Sequence, residues 1–428
     1  MRNSNREASG YFILTLLFPF VGLIYSLANW RQSWAKNVFW LACVYLGAVF
    51  IFHPEGTILG VGADGGRYVL DLIDFHENRS DFLSVFAKYR LERDVLDYYQ
   101  PFVTYIVSRI TDNGHLLFAV FAVVFGFFYS RNIWYILDKL PNNKQGIFIV
   151  LTILFFLICP ITQINGVRMW TALHVYVYAL MPYLLDRDKS KLWCLALAPL
   201  IHFSFLYVSL LGLVYVMLPD RMKSASRFLQ LVALFTYIAS LLFNSLNVDA
   251  VGGMLMEYSP ESYEDRIEMY ANQDTLDRRA EGAALANWYI AVSGILKKWT
   301  IAVLLIFLFP CMKKYFKGEY GLNRLYLFAL FLGAFANIMS LIPSGGRFQL
   351  VSMMFMVPMV LLSIMNIPKS DGYYGVARFA MLFLLIPVVV DFRRLFDFFG
   401  ITAVFGNFIT AFFLESNVPL IEFVKQLL

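Results

Sequence analysis

At 428 residues, with 59% hydrophobic and only 15% charged positions, the chain lies outside the range of soluble domains, in which about 25% of residues are charged. The net charge of +5 is modest and no stretch reads as a nucleic-acid patch; the four cysteines, Cys43, Cys159, Cys194 and Cys311, sit in or beside apolar runs, with spacing that suggests neither a disulfide framework nor a zinc site. Long continuous runs such as Gly146–Pro160, Ile301–Pro310 and Phe379–Val390 lack the in–out alternation of a membrane strand, so the chain is expected to cross a bilayer as helices.

In chain order, the first apolar run is Tyr11–Leu27, preceded by Arg2 and Arg6. That pairing imitates a signal peptide, but no small-residue cleavage site follows, and the run is read as a retained membrane segment. Pro19 and Gly22 at its centre fit a re-entrant hairpin as well as a full span, which leaves the side of the N-terminus open. Arg31 and Lys36 precede the second segment. His53–Asp97 is a long polar loop with nine acidic and five basic residues. Tyr98–Thr111 is too short for a hydrocarbon core of ~30 Å, which takes about 20 helical residues, and is expected to dip in and return. Arg131, Lys139 and Lys144 lie between the next two segments, and a helix opening at Arg168 leads to Arg187, Lys189 and Lys191. Leu192–Leu218 has Pro199 near its middle and must begin and end on one side; a hairpin with its apex near Ile201-His202-Phe203 is predicted, a single tilted helix being the competing reading. Arg221, Lys223 and Arg227 follow, then a second polar loop, Asp249–Asn287, with nine acidic and three basic residues. Trp288–Pro310 carries Lys297 and Lys298 deep inside it, and Lys313, Lys314 and Lys317 come next. Phe398–Leu428 reads as a span or an interfacial helix.

Short loops rich in lysine and arginine stay in the cytoplasm, which places the basic loops there and the two acidic loops, 53–97 and 249–287, outside. The expectation is one all-α polytopic membrane domain over residues 1–428, with eleven or twelve transmembrane or re-entrant helices. Arg393 and Arg394 then lie outside, against the rule, unless they belong to the functional site.

Ionisable groups inside or at the edge of apolar segments are costly and mark function by default. Four places qualify. Arg168 follows Asn165 and Gly166 at the outer start of a helix; an arginine snorkelling to headgroups is the ordinary alternative. His202 stands between apolar residues, where a packed, backbone-bonded histidine is the alternative. Arg347 opens a helix after Gly345 and Gly346, glycines that let backbone approach a ligand. Asp64 and Arg67 lie in Gly62-Ala63-Asp64-Gly65-Gly66-Arg67-Tyr68, which also fits a solvated turn. All four fall on the outer side of the expected topology. Two arginines at helix starts suit a diphosphate, because guanidinium pairs with phosphate oxygens in a planar fork. Lys297 and Lys298 either line a cavity or mark a boundary, and His174 is read as structural.

The order Gly62-x-Asp64-x-x-x-Tyr68, Asn165-x-x-Arg168 with Ala172, His202-Phe203-Ser204 and a late Arg347 resembles the EpsG-like group of Wzy-type polymerases, which build bacterial O-antigens and exopolysaccharides. The resemblance spans roughly Val61 to Met365 and departs from the usual pattern at Met169 and Phe205. It implies a GT-C-like polymerase architecture in the bacterial cytoplasmic (inner) membrane. It further implies a glycosyltransferase that moves a growing glycan from undecaprenyl diphosphate to a lipid-linked repeat unit on the outer side. Donor and acceptor are then both lipid-diphosphate oligosaccharides, and membrane lipid, a chain-length regulator and a flippase are the expected partners. By this likeness Arg168 and Arg347 bind diphosphates or stabilise the leaving group, and His202, or alternatively Asp64, takes the hydroxyl proton. Arg67, Tyr68 and Asn165 join the substrate-binding set. No P-loop or dinucleotide motif is present and no carboxylate cluster has the look of a metal site, so catalysis without metal or cofactor is expected. An O-antigen ligase shares the donor and differs in acceptor. A flippase should carry repeats, which are not evident. A membrane acyltransferase would pair its histidine with a nearby acidic or histidine motif, and none is close to His202 in sequence.

Overall fold

The computed structural model describes residues 2–52, 64–79, 81–93, 97–141, 146–218, 226–243, 288–312, 314–315, 319–342, 344–413 and 418–427. Among them the regular elements are helices, apart from one isolated antiparallel bridge between Phe50 and Phe399. Five stretches are long and apolar enough to cross a membrane: Gly114–Leu137, Phe148–Asp186, Tyr320–Met339, Arg347–Ile364 and Gly372–Leu395. The protein is an all-α, multi-pass membrane protein.

The first apolar run is a hairpin. Helix α1 (Arg2–Leu17) stops at Phe18, and α2 (Pro19–Ala28) starts on a proline, whose missing N–H is harmless at a first helical position. Tyr11 returns to 6.0 Å from the Tyr25 ring and stacks on Trp34 at 4.0 Å. Gly22 sits so close to Thr15 that a Cβ would stand 2.2 Å from its Oγ1. Helix α3 (Ala35–Ala48) packs along α7 (Gly114–Leu137) through small residues. A Cβ on Gly47 would lie 2.4 Å from Ala122 Cβ, the close approach that drives helix association where lipid removes the hydrophobic gain.

The acidic stretch 53–97, expected as a loop, contains two helices, α4 (Asp64–Asn78) and α5 (Phe82–Arg93). Arg67 and Tyr68 therefore lie in the first two turns of a helix and not in a Gly-rich loop; Gly62 and Ala63, and the whole of Asp249–Asn287, lie outside the described residues. Helix α6 (Tyr99–Ser108) has ten residues, about 15 Å at 1.5 Å per residue, and packs on α4 and α7 without crossing. Helix α8 (Gly146–Ile158) ends at Pro160 in a 3-10 turn (Ile161–Gly166), and α9 (Val167–Asp186) follows. Two short helices, α10 (Cys194–Ile201) and α11 (Phe205–Met217), meet at His202. The remaining long elements are α12 (Ser226–Leu242), α13 (Trp288–Ala302, prolonged by a π segment, Val303–Leu308, to Met312), α14 (Tyr320–Met339), α15 (Arg347–Ile364) and α16 (Gly372–Leu395). Helix α15 runs through the middle, with 89% of its span buried by protein, against 33% for the peripheral α16. That position explains why α15 is apolar all round. Beyond α16 the described residues make only short helices and tie back to α3 and the residues just after it: Tyr45 donates to Thr402 O and Ile51 N to Phe398 O. Among the described residues they form no single span.

The bundle has two distinct ends. At one, Arg31 donates to Pro141 O, Lys139 pairs with Asp186 at 2.8 Å, and Arg324 donates to Leu184 O. Lys191 covers the Tyr178 ring, and Lys314 pairs with Asp371. The described parts of the short basic loops thus share this end. Tyr215, near the end of α11, donates to Arg324 O at this end, while His202 lies at the other. The α10–α11 pair is therefore a hairpin with His202 at its apex.

Candidate functional site

Opposite the basic end lies a cavity of about 420 Å³. One wall comes from the start of α4, the 3-10 turn, the start of α9 and the α10–α11 apex, which contribute Asp64, Asn165, Arg168 and His202. The other comes from α13, α15 and the end of α16, which contribute Ser293, Lys297, Arg347, Asp391 and Arg394. Leu154, Leu157 and Ile158 of α8 also line it, and α8 packs on α15 and α16.

The first wall is organised by Asp97, a residue that sequence reasoning left among the acids of a polar loop. Tyr98 N donates to Leu200 O at 3.0 Å, which fastens the start of α6 to the end of α10 and sets Asp97 beside the hairpin apex. Its Oδ2 accepts from His202 Nδ1 at 2.8 Å and from Arg168 Nη1 at 3.1 Å, and its Oδ1 accepts from Phe203 N at 2.7 Å. Asp97 is only 4% exposed. Burial works to raise its pKa, but the His202 hydrogen bond and charge, with Arg168 and the Phe203 amide, hold it below the ordinary aspartate value. It is therefore an ionised acceptor, and the His202 nitrogen that faces it, Nδ1, carries a proton. Nε2 is the ring nitrogen left to exchange a proton.

Arg168 is held from a second direction. Its Nε donates to the hydroxyl of Tyr68 at 3.2 Å, and Tyr68 is buried. Asn165 Oδ1 accepts from Gly65 N at 3.1 Å, locking α4 to the 3-10 turn. A Cβ on Gly65 would stand 2.3 Å from that oxygen, so glycine is required for the contact. Arg67 pairs with Asp64 and its side chain is 55% exposed. Of the residues singled out from sequence, Asp64, Asn165, Arg168, His202 and Arg347 line the cavity. Tyr68 stands behind Arg168, and Arg67 behind Asp64.

On the second wall, Lys297 Nζ donates to Gly346 O at 2.8 Å, and Arg394 Nη1 donates to Ser293 Oγ at 2.8 Å with Asp391 Oδ1 at 3.5 Å. Ser293 and Lys297 are four residues apart and share a face of α13. Lys298 turns away and donates to Ser240 O. The Gly345-Gly346 pair serves the turn: Ser344 has φ 63°, and a Cβ on Gly345 would clash with Met339 O at 1.8 Å. This close approach is to the chain's own backbone. His174, read as structural, is fully buried, with Nε2 at 3.0 Å from Cys159 O. Among the described residues no group of three or more His, Cys, Asp or Glu is placed to hold a metal ion.

Asp97 and Arg394 both carried a sequence signal. Asp97 directly precedes an apolar segment, and Arg394 broke the positive-inside pattern. The EpsG family matches the chain over residues 48–394, a range that contains every polar residue of both walls. The chain belongs to the EpsG family. No curated protein and no solved structure matches it significantly. Membership of the EpsG family supports a polysaccharide-polymerase type of function, glycosyltransferase-like in general terms.

Proposed function

We propose that this EpsG-family protein is a repeat-unit polymerase of the bacterial inner membrane. On this reading it transfers a growing glycan from undecaprenyl diphosphate to a lipid-linked repeat unit, at the outer face. The observation that carries the reading is the Asp97–His202 pair, with a free Nε2, in a cavity that also holds arginines. The acceptor hydroxyl attacks the anomeric carbon of the donor, and its proton passes to His202 Nε2. The bond from that carbon to the diphosphate oxygen breaks, and the oxygen keeps the electron pair. Asp97 holds the ring in the required tautomer and balances the imidazolium that forms. Arg168, fixed between Asp97 and Tyr68, presents its remaining donors to the reacting sugars. Asn165 fixes the start of α4, and Asp64 is the other candidate base.

An apolar groove of about 250 Å³ is lined by Phe82, Phe86, Tyr98 and Phe102 with Leu197 and Ile201, and Tyr98 and Ile201 are the chain neighbours of Asp97 and His202. It supports the reading by offering a path for a polyprenyl tail. Orientation follows from the basic end being cytoplasmic: reporter fusions at Glu77 should read outside and at Lys189 inside, and an outside reading at Lys189 reverses the arrangement.

The decisive experiment replaces His202 and measures glycan length at matched protein level. His202→Ala should abolish long chains while single-repeat product persists. His202→Gln keeps a polar side chain without basicity near neutral pH and should fail equally. Substantial polymerisation by the glutamine variant would transfer the base role to Asp64. Normal chain length in the alanine variant would remove the mechanism altogether.

A further inference from the structure

The two walls of the cavity differ in net charge. Beside Arg168 stand two carboxylates, Asp64 and Asp97, and the guanidinium is bonded to Asp97 and to Tyr68. On the opposite wall Lys297, Arg347 and Arg394 face a single carboxylate, Asp391, which lies against Arg394. Among the described residues Arg347 has no carboxylate partner. The ammonium of Lys297 has a carbonyl, Gly346 O, as its hydrogen-bond acceptor. Cations beside apolar side chains are costly, and three of them lining one cavity against a single carboxylate form a site for a multiply charged anion.

We propose that Lys297, Arg347 and Arg394 form the subsite for the diphosphate of the prenyl-linked donor, and that Arg168 is not a principal diphosphate ligand. This rests on the polymerase reading above and divides its two walls by task. The wall of α13, α15 and α16 receives the charge that develops on the leaving diphosphate oxygen. The Asp97–His202–Arg168 wall handles the acceptor hydroxyl and its proton. Position supports the division. Ser293 holds Arg394 in place, and the Gly346 carbonyl holds Lys297 next to Arg347, so three helices deliver their cations to one cavity. The apolar side chains of Leu154, Leu350 and Met353 line the same cavity and suit the first isoprene units.

The test is binding of geranylgeranyl diphosphate to the full-length protein in lipid nanodiscs, with geranylgeranyl monophosphate, geranylgeraniol and inorganic diphosphate as comparison ligands. The wild-type protein should prefer the prenyl diphosphate over the monophosphate and the alcohol, and inorganic diphosphate should compete. Lys297→Gln and Arg394→Gln should each weaken binding roughly tenfold or more, the size of a lost charge-assisted hydrogen bond. Arg394→Lys, which keeps the charge and loses only the planar fork, should bind more tightly than Arg394→Gln and so separates recognition from misfolding. Arg168→Gln should stop polymerisation yet change binding by less than about threefold, well under the tenfold of one lost bond of that kind. If Arg168→Gln weakens binding as much as the Lys297 and Arg394 variants, or if those two bind normally, the division of tasks is wrong while the polymerase reading stands. If the wild-type protein binds no prenyl diphosphate at all, the polymerase reading itself falls.

Discussion

The cavity has one wall in which every charge has an answering group and another in which positive charge is left over. Asp97 gathers His202, Arg168 and the Phe203 amide within 3.1 Å, and Tyr68 holds Arg168 from behind. Among the described residues nothing comparable balances Lys297 and Arg347. Satisfied buried networks fix geometry, because each member's position is over-determined by its partners. An unsatisfied cluster stores electrostatic potential for a ligand that has yet to arrive. One wall is thus built for positioning and the other for binding, although both contain an arginine at the start of a helix.

The sharpest way to break this contrast is to unbalance the paired wall. Asp97→Asn removes the charge that orients His202 and answers Arg168, and polymer formation should fall by roughly 10²–10⁴-fold, the range that a positioned proton acceptor contributes. Removing one partner from a buried ion pair costs about 3–5 kcal/mol, so the thermal midpoint of the purified variant should fall as well. Chains of wild-type length from this variant would show that the paired wall is scaffolding.

Next in size are the arginines. Arg168→Lys and Arg347→Lys both keep a charge but lose the planar fork, and each should reduce long-chain product by about 10- to 100-fold, the equivalent of one or two charge-assisted hydrogen bonds. The contrast predicts different causes. The Arg347 variant should respond to raised donor concentration, and the Arg168 variant should not, since its defect lies in the turnover step. Equal rescue of both would erase the distinction between the walls.

The smallest effect is expected from Tyr68→Phe. It removes only the hydroxyl that accepts from Arg168 Nε, a contribution of about 0.5–1.5 kcal/mol, and should lower the polymerisation rate by roughly two- to tenfold with binding of the prenyl diphosphate unchanged. An unaltered rate would mean that Asp97 alone fixes Arg168.

Composition and the spacing of apolar runs were enough to read an all-α, multi-pass membrane protein, because a bilayer admits few ways of satisfying the backbone. Local rules went further where one segment carried the whole signal. Pro199 and the basic flanks foretold the hairpin with His202 at its apex, and the short order of Asp64, Tyr68, Asn165, Arg168, His202 and Arg347 pointed to the family that the chain proves to match. What only the tertiary structure decided is which of these groups meet. Asp97 reaches His202 and Arg168 across 105 and 71 residues, because a backbone bond from Tyr98 to Leu200 closes that distance. Arg394 and Lys297 reach the cavity because α13 and α16 pack side by side. A charge in a sequence reports its own desolvation cost through its neighbours in the chain, but its partner is set by helix packing, which leaves no mark at any fixed spacing.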